Sequence, residues 1–311
     1  MQRKLRGSIM LLIAALIWGT AFVAQSEGMR YVEPFTYNAT RTLIGGFVLI
    51  PIIVIFRSIR RKSGRTEKTS LRATITGGIV CGIFLFIASS FQQSGISMTT
   101  AGKAGFITAL YIIIVPLFGL IFRRKVSPIL WLCVLIAAAG FWLLCIKKGF
   151  TIGKGDLLVL CCAIFFAMHI MSIDHFNGKH VDAMLMSCIQ FFTAGTLMAI
   201  CMFLFETPQI GNIFDAKITI LYSGFMSSGV AFTLQIIGQK DTEPTVATLL
   251  MSLESVFAAL SGWLILHEAL TLKELTGCIL VFSAVILAQL KSSGNSAVEE
   301  QTKNLKMERK L

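Results

Sequence analysis

Arg41, Lys103 and Glu254 are charged residues that fall inside apolar runs of this chain rather than between them. At the centre of a bilayer such a charge costs roughly 2.5 to 3.5 kcal/mol on insertion scales, so each needs a partner or a wetted cavity. Arg41 lies ~10 Å below the outer end of the second run and Glu254 ~13 Å from the inner end of the ninth, at ~1.5 Å of rise per residue. Lys103, in the fourth run, lies at comparable or shallower depth. All three depths allow contact with one central cavity that leans towards the outer surface.

The chemistry open to each follows from its type. A guanidinium offers a planar fork to a substrate carboxylate; the alternatives for Arg41 are an ion pair with Glu254 or a bond to a broken helix end. Glu254 suits a proton or cation relay, an amine partner, or the counterion of Arg41. Lys103 either reaches the cavity or snorkels to water at the helix entrance. Pro34, Asn38, Arg41 and Gly45 share one helical stripe, as do Ala247, Met251, Glu254, Ala258 and Ser261, so small residues flank both charges. His169 titrates near neutrality in water and is either a second relay group or a hydrogen-bonded packing histidine. Trp18, Phe22 and Tyr111 form an aromatic wall or pack against lipid and core. Gln92, Gln93, Gln190 and Gln235 all need hydrogen-bond partners, and a substrate is one of the options. The substrate-binding candidates are therefore Trp18, Asn38, Arg41, Lys103, Tyr111, Gln190 and Glu254, and the relay candidates are Glu254 and His169.

The elements that must hold these groups are ten apolar runs beginning near Ser8, Pro34, Ala73, Met98, Pro128, Asp156, Ala183, Ile218, Thr245 and Lys273. Each is close to the ~20 residues that cross a ~30 Å hydrocarbon layer as helix. With 55% hydrophobic and 14% charged residues, 311 residues cannot cover a water-soluble globule. The net charge of +12 lies between the runs, not on a face that would suit nucleic acid. With the N-terminus in the cytoplasm, 20 of the 28 basic residues fall in inner segments and 6 in outer ones. That bias puts both termini in the cytoplasm of a multi-pass protein of the cell (inner or plasma) membrane. The basic start and first apolar run lack a small-x-small cleavage site, and the first helix is expected to be retained. All eight cysteines fall inside apolar runs, which excludes a loop disulfide or zinc framework. No phosphate-cradling glycine loop, metal cluster or cofactor motif is present, and no catalytic constellation is assigned.

The chain repeats itself. Gly119 to Lys125 aligns with Gly262 to Glu268 in a register that pairs Ala101 with Pro244, and Gly7, Ala15, Trp18 and Gly19 align with Gly155, Ala163, Phe166 and Ala167. Since five spans separate the copies, the second must enter from the opposite side, which predicts an all-α membrane fold of ten transmembrane helices in two inverted five-helix repeats. Residues 1–150 form the first repeat, 151–290 the second, and 291–311 a polar, disordered cytoplasmic tail.

Ala15-Leu16-Ile17-Trp18-Gly19-Thr20-Ala21-Phe22, Arg41, Leu110-Tyr111-Ile112-Ile113-Ile114-Val115-Pro116, and Leu253 to Leu260 leading to His267-Glu268-Ala269-Leu270-Thr271 give the chain its resemblance to the EamA branch of the drug/metabolite transporter superfamily, over residues 6 to 290. It departs from that pattern where the family commonly shows Glu-Pro and this chain has Glu254-Ser255, and where a Gly-Glu-Arg-type turn is replaced by Arg123-Arg124-Lys125. The resemblance implies a secondary transporter, not an enzyme, that exports small polar metabolites such as amino acids by alternating access, with a small-molecule substrate and the lipid bilayer as partners. Uptake of a vitamin, nucleoside or osmolyte is the alternative within the same fold, and an intramembrane enzyme the alternative outside it. Oligomeric state is not legible.

Overall fold

The computed structural model describes residues 2–62, 69–99, 101–121, 126–145, 153–266 and 271–308. Within them the chain is helical: α1 Gln2–Gly28, α2 Pro34–Lys62, α3 Leu71–Ile96, α4 Ala101–Thr108, α5 Tyr111–Ile121, α6 Pro128–Cys145, α7 Lys154–Asn177, α8 Ala183–Phe205, α9 Ile210–Asp215, α10 Lys217–Tyr222, a π-helical stretch Ser223–Phe232, α11 Thr233–Gln239, α12 Pro244–Met251, α13 Glu254–Leu266 and α14 Leu272–Glu308. Nine stretches among the described residues are long and apolar enough to cross a membrane, and Pro128–Leu143 is a shorter apolar helix. These are the ten spans.

Their exposed side chains are large and apolar, among them Phe47, Val54, Leu135, Phe203 and Ile279, which is what a surface facing hydrocarbon requires. Two boundaries differ from expectation. The fourth run begins at Met98 in sequence, but Ser97 and Met98 form the turn that ends α3, and the helix starts at Ala101. The last helix continues to Glu308, through the segment expected to be disordered, because the residues from Ala297 onward are mostly good helix formers. The Arg123-Arg124-Lys125 and His267-Glu268 ends of the repeat alignment lie outside the described residues.

Packing follows the repeat. α3 packs on α7 as α1 packs on the α10–α11 span; α2 packs on α8 and α6 on α14, each pairing one repeat with its copy. Two crossings are so close that only glycine fits. A Cβ at Gly155 would sit 3.0 Å from the Gly95 carbonyl oxygen, and one at Gly7 would sit 2.8 Å from that of Gly238. Gly7 and Gly155 are equivalent by the sequence register, so Gly95 and Gly238 are equivalent too. Without a hydrophobic drive between helices in lipid, such small-residue contacts supply the packing. Gly95→Val places branched carbon against Val159 and the Gly155 carbonyl, and should cost about 1–3 kcal/mol. Thermal unfolding of the detergent-solubilised protein should show the Tm falling; an unchanged Tm would mean the crossing is loose.

Candidate functional site

Spans four and nine are both interrupted, and at equivalent places. A turn at Ala109 and Leu110 separates α4 from α5, and one at Ser252 and Leu253 separates α12 from α13. The register that pairs Gly119 with Gly262 sets Ala109 against Ser252 and Tyr111 against Glu254. Span nine breaks without a proline at its hinge: the Ser252 hydroxyl turns back to the Leu249 carbonyl at 2.8 Å, and Ser255 Oγ donates across to the Gly105 carbonyl of α4 at 2.9 Å. Tyr111 and Glu254 each open the second half of a broken helix, both are buried, and the Tyr111 hydroxyl donates to Glu254 Oε1 at 3.0 Å. Broken helices are where membrane carriers expose helix ends and backbone groups to a ligand.

Around this bond lies a small cavity of about 40 Å³. Its wall is built largely of equivalent pairs: Trp18 with Phe166, Phe22 with Ile170, Ser89 with Phe232, Gln92 with Gln235, Thr108 with Met251, and Tyr111 with Glu254. The remaining lining residues are Gln25, Arg41 and Ser227. The π-helical stretch, a form common at functional sites, supplies Ser227 and Phe232. On this nearly symmetric wall the charge is split, cationic in the first repeat at Arg41 and anionic in the second at Glu254.

Arg41 is 4% exposed and held rigidly. Its Nε donates to Asn38 Oδ1 at 2.8 Å, Asn38 Nδ2 donates to the Ser89 carbonyl at 2.8 Å, and the guanidinium carbon lies 5.9 Å from the Tyr37 ring centre. Tyr37 is itself fixed by the Ser223 hydroxyl at 2.7 Å. Neither terminal guanidinium nitrogen has a hydrogen-bond partner among the described residues. On the same wall Trp18 Nε1, Gln25 Oε1 and Gln235 Oε1 are buried without partners. Buried polar atoms left unpaired cost ~1–3 kcal/mol each, so a polar occupant is favoured here.

Of the sequence candidates, Trp18, Arg41, Tyr111 and Glu254 line this cavity together. Three substrate-binding candidates do not. Lys103 sits in the first turn of α4 and donates to Asp156 Oδ2 at 2.5 Å, an ion pair that draws it away from the cavity wall. Asn38 lies behind Arg41 and orients it. Gln190 is fully buried with its Oε1 3.0 Å from His169 Nε2. His169 packs edge-on against Phe166 and Phe232, so this relay candidate lies one layer behind the wall. The Arg41–Glu254 ion pair, one of the alternatives for Arg41, is not formed: both side chains face the same space and bond to other groups. Phe166 and Ile170, which sequence reasoning did not name as lining residues, are the repeat equivalents of Trp18 and Phe22, and the register alone would have found them.

An all-helical membrane fold of two inverted repeats around a cavity that holds a buried arginine and a buried glutamate defines the class as a membrane transporter. The chain belongs to the EamA-like transporter family, whose model matches residues 5–146 and again 153–290. It is 30% identical to an uncharacterised transporter of Archaeoglobus fulgidus over 93% of this chain and 87% of that one. It is also 22% identical to the uncharacterised transporter YoaV of Bacillus subtilis over 89% and 94% of the two chains, and 22% identical to the chloroplastic WAT1-related protein At3g02690 of Arabidopsis thaliana over 87% and 66%. A solved crystal structure superposes with a TM-score of 0.74 at 20% identity, covering 91% of this chain and 96% of the other, a likeness of fold. The protein is a multi-pass membrane transporter and not an enzyme.

Proposed function

We propose that this transporter exports small polar metabolites, amino-acid-like compounds foremost, across the cell (inner or plasma) membrane by alternating access. Its two repeats, 1–150 and 151–290, rock about the cavity, and both termini and the tail face the cytoplasm. The observation that carries the reading is that Arg41 and Glu254 line one cavity without neutralising each other. A carboxylate meets the terminal nitrogens of Arg41, and an ammonium or proton meets Glu254 Oε2, which accepts no hydrogen bond among the described residues. The aromatic side chains of Trp18, Phe22, Phe166 and Phe232 enclose the remainder of a small molecule.

The test is a metabolite comparison between cells overexpressing the chain and cells with an empty vector. Accumulation of an amino-acid-like compound in the medium supports export. Accumulation of a vitamin, nucleoside or osmolyte inside the cells would replace it with uptake, and no difference would remove both. The orientation has its own check in single cysteines placed in a cysteine-free background. Ser63→Cys should be protected from an impermeant thiol reagent added outside and Asn212→Cys labelled; labelling of Ser63→Cys from outside would reverse the topology.

A further inference from the structure

One charged cluster outside the cavity has no mirror image in the other repeat. Asp156, in the first turn of α7, accepts from Lys103 Nζ at 2.5 Å, Thr99 Oγ1 at 2.8 Å and the Gly153 backbone N–H at 2.7 Å. The Asp156 side chain is 4% exposed and that of Lys103 20%. Thr99 and Lys103 belong to the first repeat and Asp156 to the second, so the cluster ties the repeats together across the face that carries the α3–α4 connection.

The registers already established name its equivalents on the opposite face: Ser8 for Asp156, Thr242 for Thr99 and Val246 for Lys103. The backbone crossing is the same at both faces, Gly155 on Gly95 and Gly7 on Gly238. The side chains are not. Ser8 Oγ donates to Gln289 Oε1 at 3.1 Å, Thr242 Oγ1 is buried without a partner, and Val246 is buried and apolar. None of these three positions carries a charge.

On a pseudo-symmetric scaffold, an ion pair at one set of positions and uncharged side chains at the three equivalent ones distinguish the two closures. We infer that Lys103 and Asp156 are positioning residues of the transport cycle, a clasp that holds the cavity shut on the α3–α4 face, so that the empty carrier favours opening towards the face bearing the N-terminus. The inference rests on the alternating-access reading. With the N-terminus in the cytoplasm, it places the waiting carrier on the side from which an exporter loads. The recess on the clasped face, about 440 Å³ and lined by Arg30, Glu33, Ser97 and Asn212 among others, shares no residue with the central cavity, as closure there requires. Removing one partner of a poorly solvated pair leaves the other uncompensated, so the closed state loses more than the contact itself.

The test reads sidedness directly. Ser227→Cys, on the cavity wall in a cysteine-free background, is labelled with an impermeant thiol reagent in sealed vesicles of each orientation. The parent should label faster from the N-terminal face. Adding Lys103→Met, which keeps the side-chain length and spares the Asp156 cap on α7, should raise the rate from the α3–α4 face about tenfold, equivalent to ~1.4 kcal/mol. Building the mirror clasp with Ser8→Asp and Val246→Lys should slow labelling from the N-terminal face by a similar factor. A purely structural role for the pair predicts a lower folded yield with unchanged rates in the folded fraction, and that result overturns the proposal. If labelling is equal from both faces and neither substrate nor any variant moves it, alternating access itself fails and the clasp falls with it. Rates that respond to substrate but not to either clasp variant overturn the clasp alone.

Discussion

Glu254→Gln carriers in proteoliposomes should still bind substrate but no longer respond to an imposed pH gradient. Glutamine keeps a carbonyl oxygen for the Tyr111 hydroxyl, so the cavity wall and the joined starts of α5 and α13 stay in place. What it removes is the only side chain on that wall that can exchange a proton between two sides of the membrane and change charge by doing so. For one coupled proton a one-unit gradient is worth ~1.4 kcal/mol, or about tenfold in the steady-state substrate ratio. The wild-type carrier should approach that ratio and Glu254→Gln should stay near unity. Wild-type flux indifferent to the gradient would make Glu254 a substrate-binding or structural carboxylate instead.

Arg41→Ala should lower kcat/KM by ~10²–10³, the range for removing one partner of a desolvated charged contact. Arg41→Lys should recover little, because an ammonium cannot donate to Asn38 as Nε does while presenting two further donors to the cavity. Adding Glu254→Ala should not restore transport. Rescue would be expected if the two residues formed a buried pair whose halves are each harmful alone. Here Arg41 is bonded to Asn38 and Glu254 to Tyr111, so losses should combine near additively. Kinetics on the single and double variants, with folded protein verified by size-exclusion chromatography, decide the matter, and recovery in the double variant would show that the pair forms at another stage of the cycle.

The fold is readable in this chain because its signals are local. Ten apolar runs and the repeat seen in the Trp18/Phe166 and Gly119/Gly262 alignments need no tertiary information. Arg41 and Glu254 are readable for a related reason, since a charge amid apolar residues must be satisfied somewhere. Which partner satisfies it is a tertiary question. Lys103 looks comparable to Arg41 when depth is measured from Met98, yet α4 starts at Ala101 and brings Lys103 to Asp156, a residue that in sequence reads only as the start of another span. Gln190 and His169 likewise look like site residues until the packing of Phe232 places them behind the wall. The hinge of span nine is invisible as a motif because no proline marks it. The Tyr111–Glu254 pairing, by contrast, was implicit in the repeat register, which had only to be carried a few residues beyond Ala101 and Pro244.

The most direct measurement is flux through a bilayer that contains this protein alone. Proteoliposomes loaded with the metabolite that accumulates in the medium of overexpressing cells should release it faster than protein-free liposomes, in a manner saturated by excess unlabelled substrate, and Arg41→Ala proteoliposomes should release it at the protein-free rate. Release by Arg41→Ala at the wild-type rate, or no release above protein-free liposomes by the wild-type chain, would contradict the assignment of this cavity as the substrate site of a metabolite carrier.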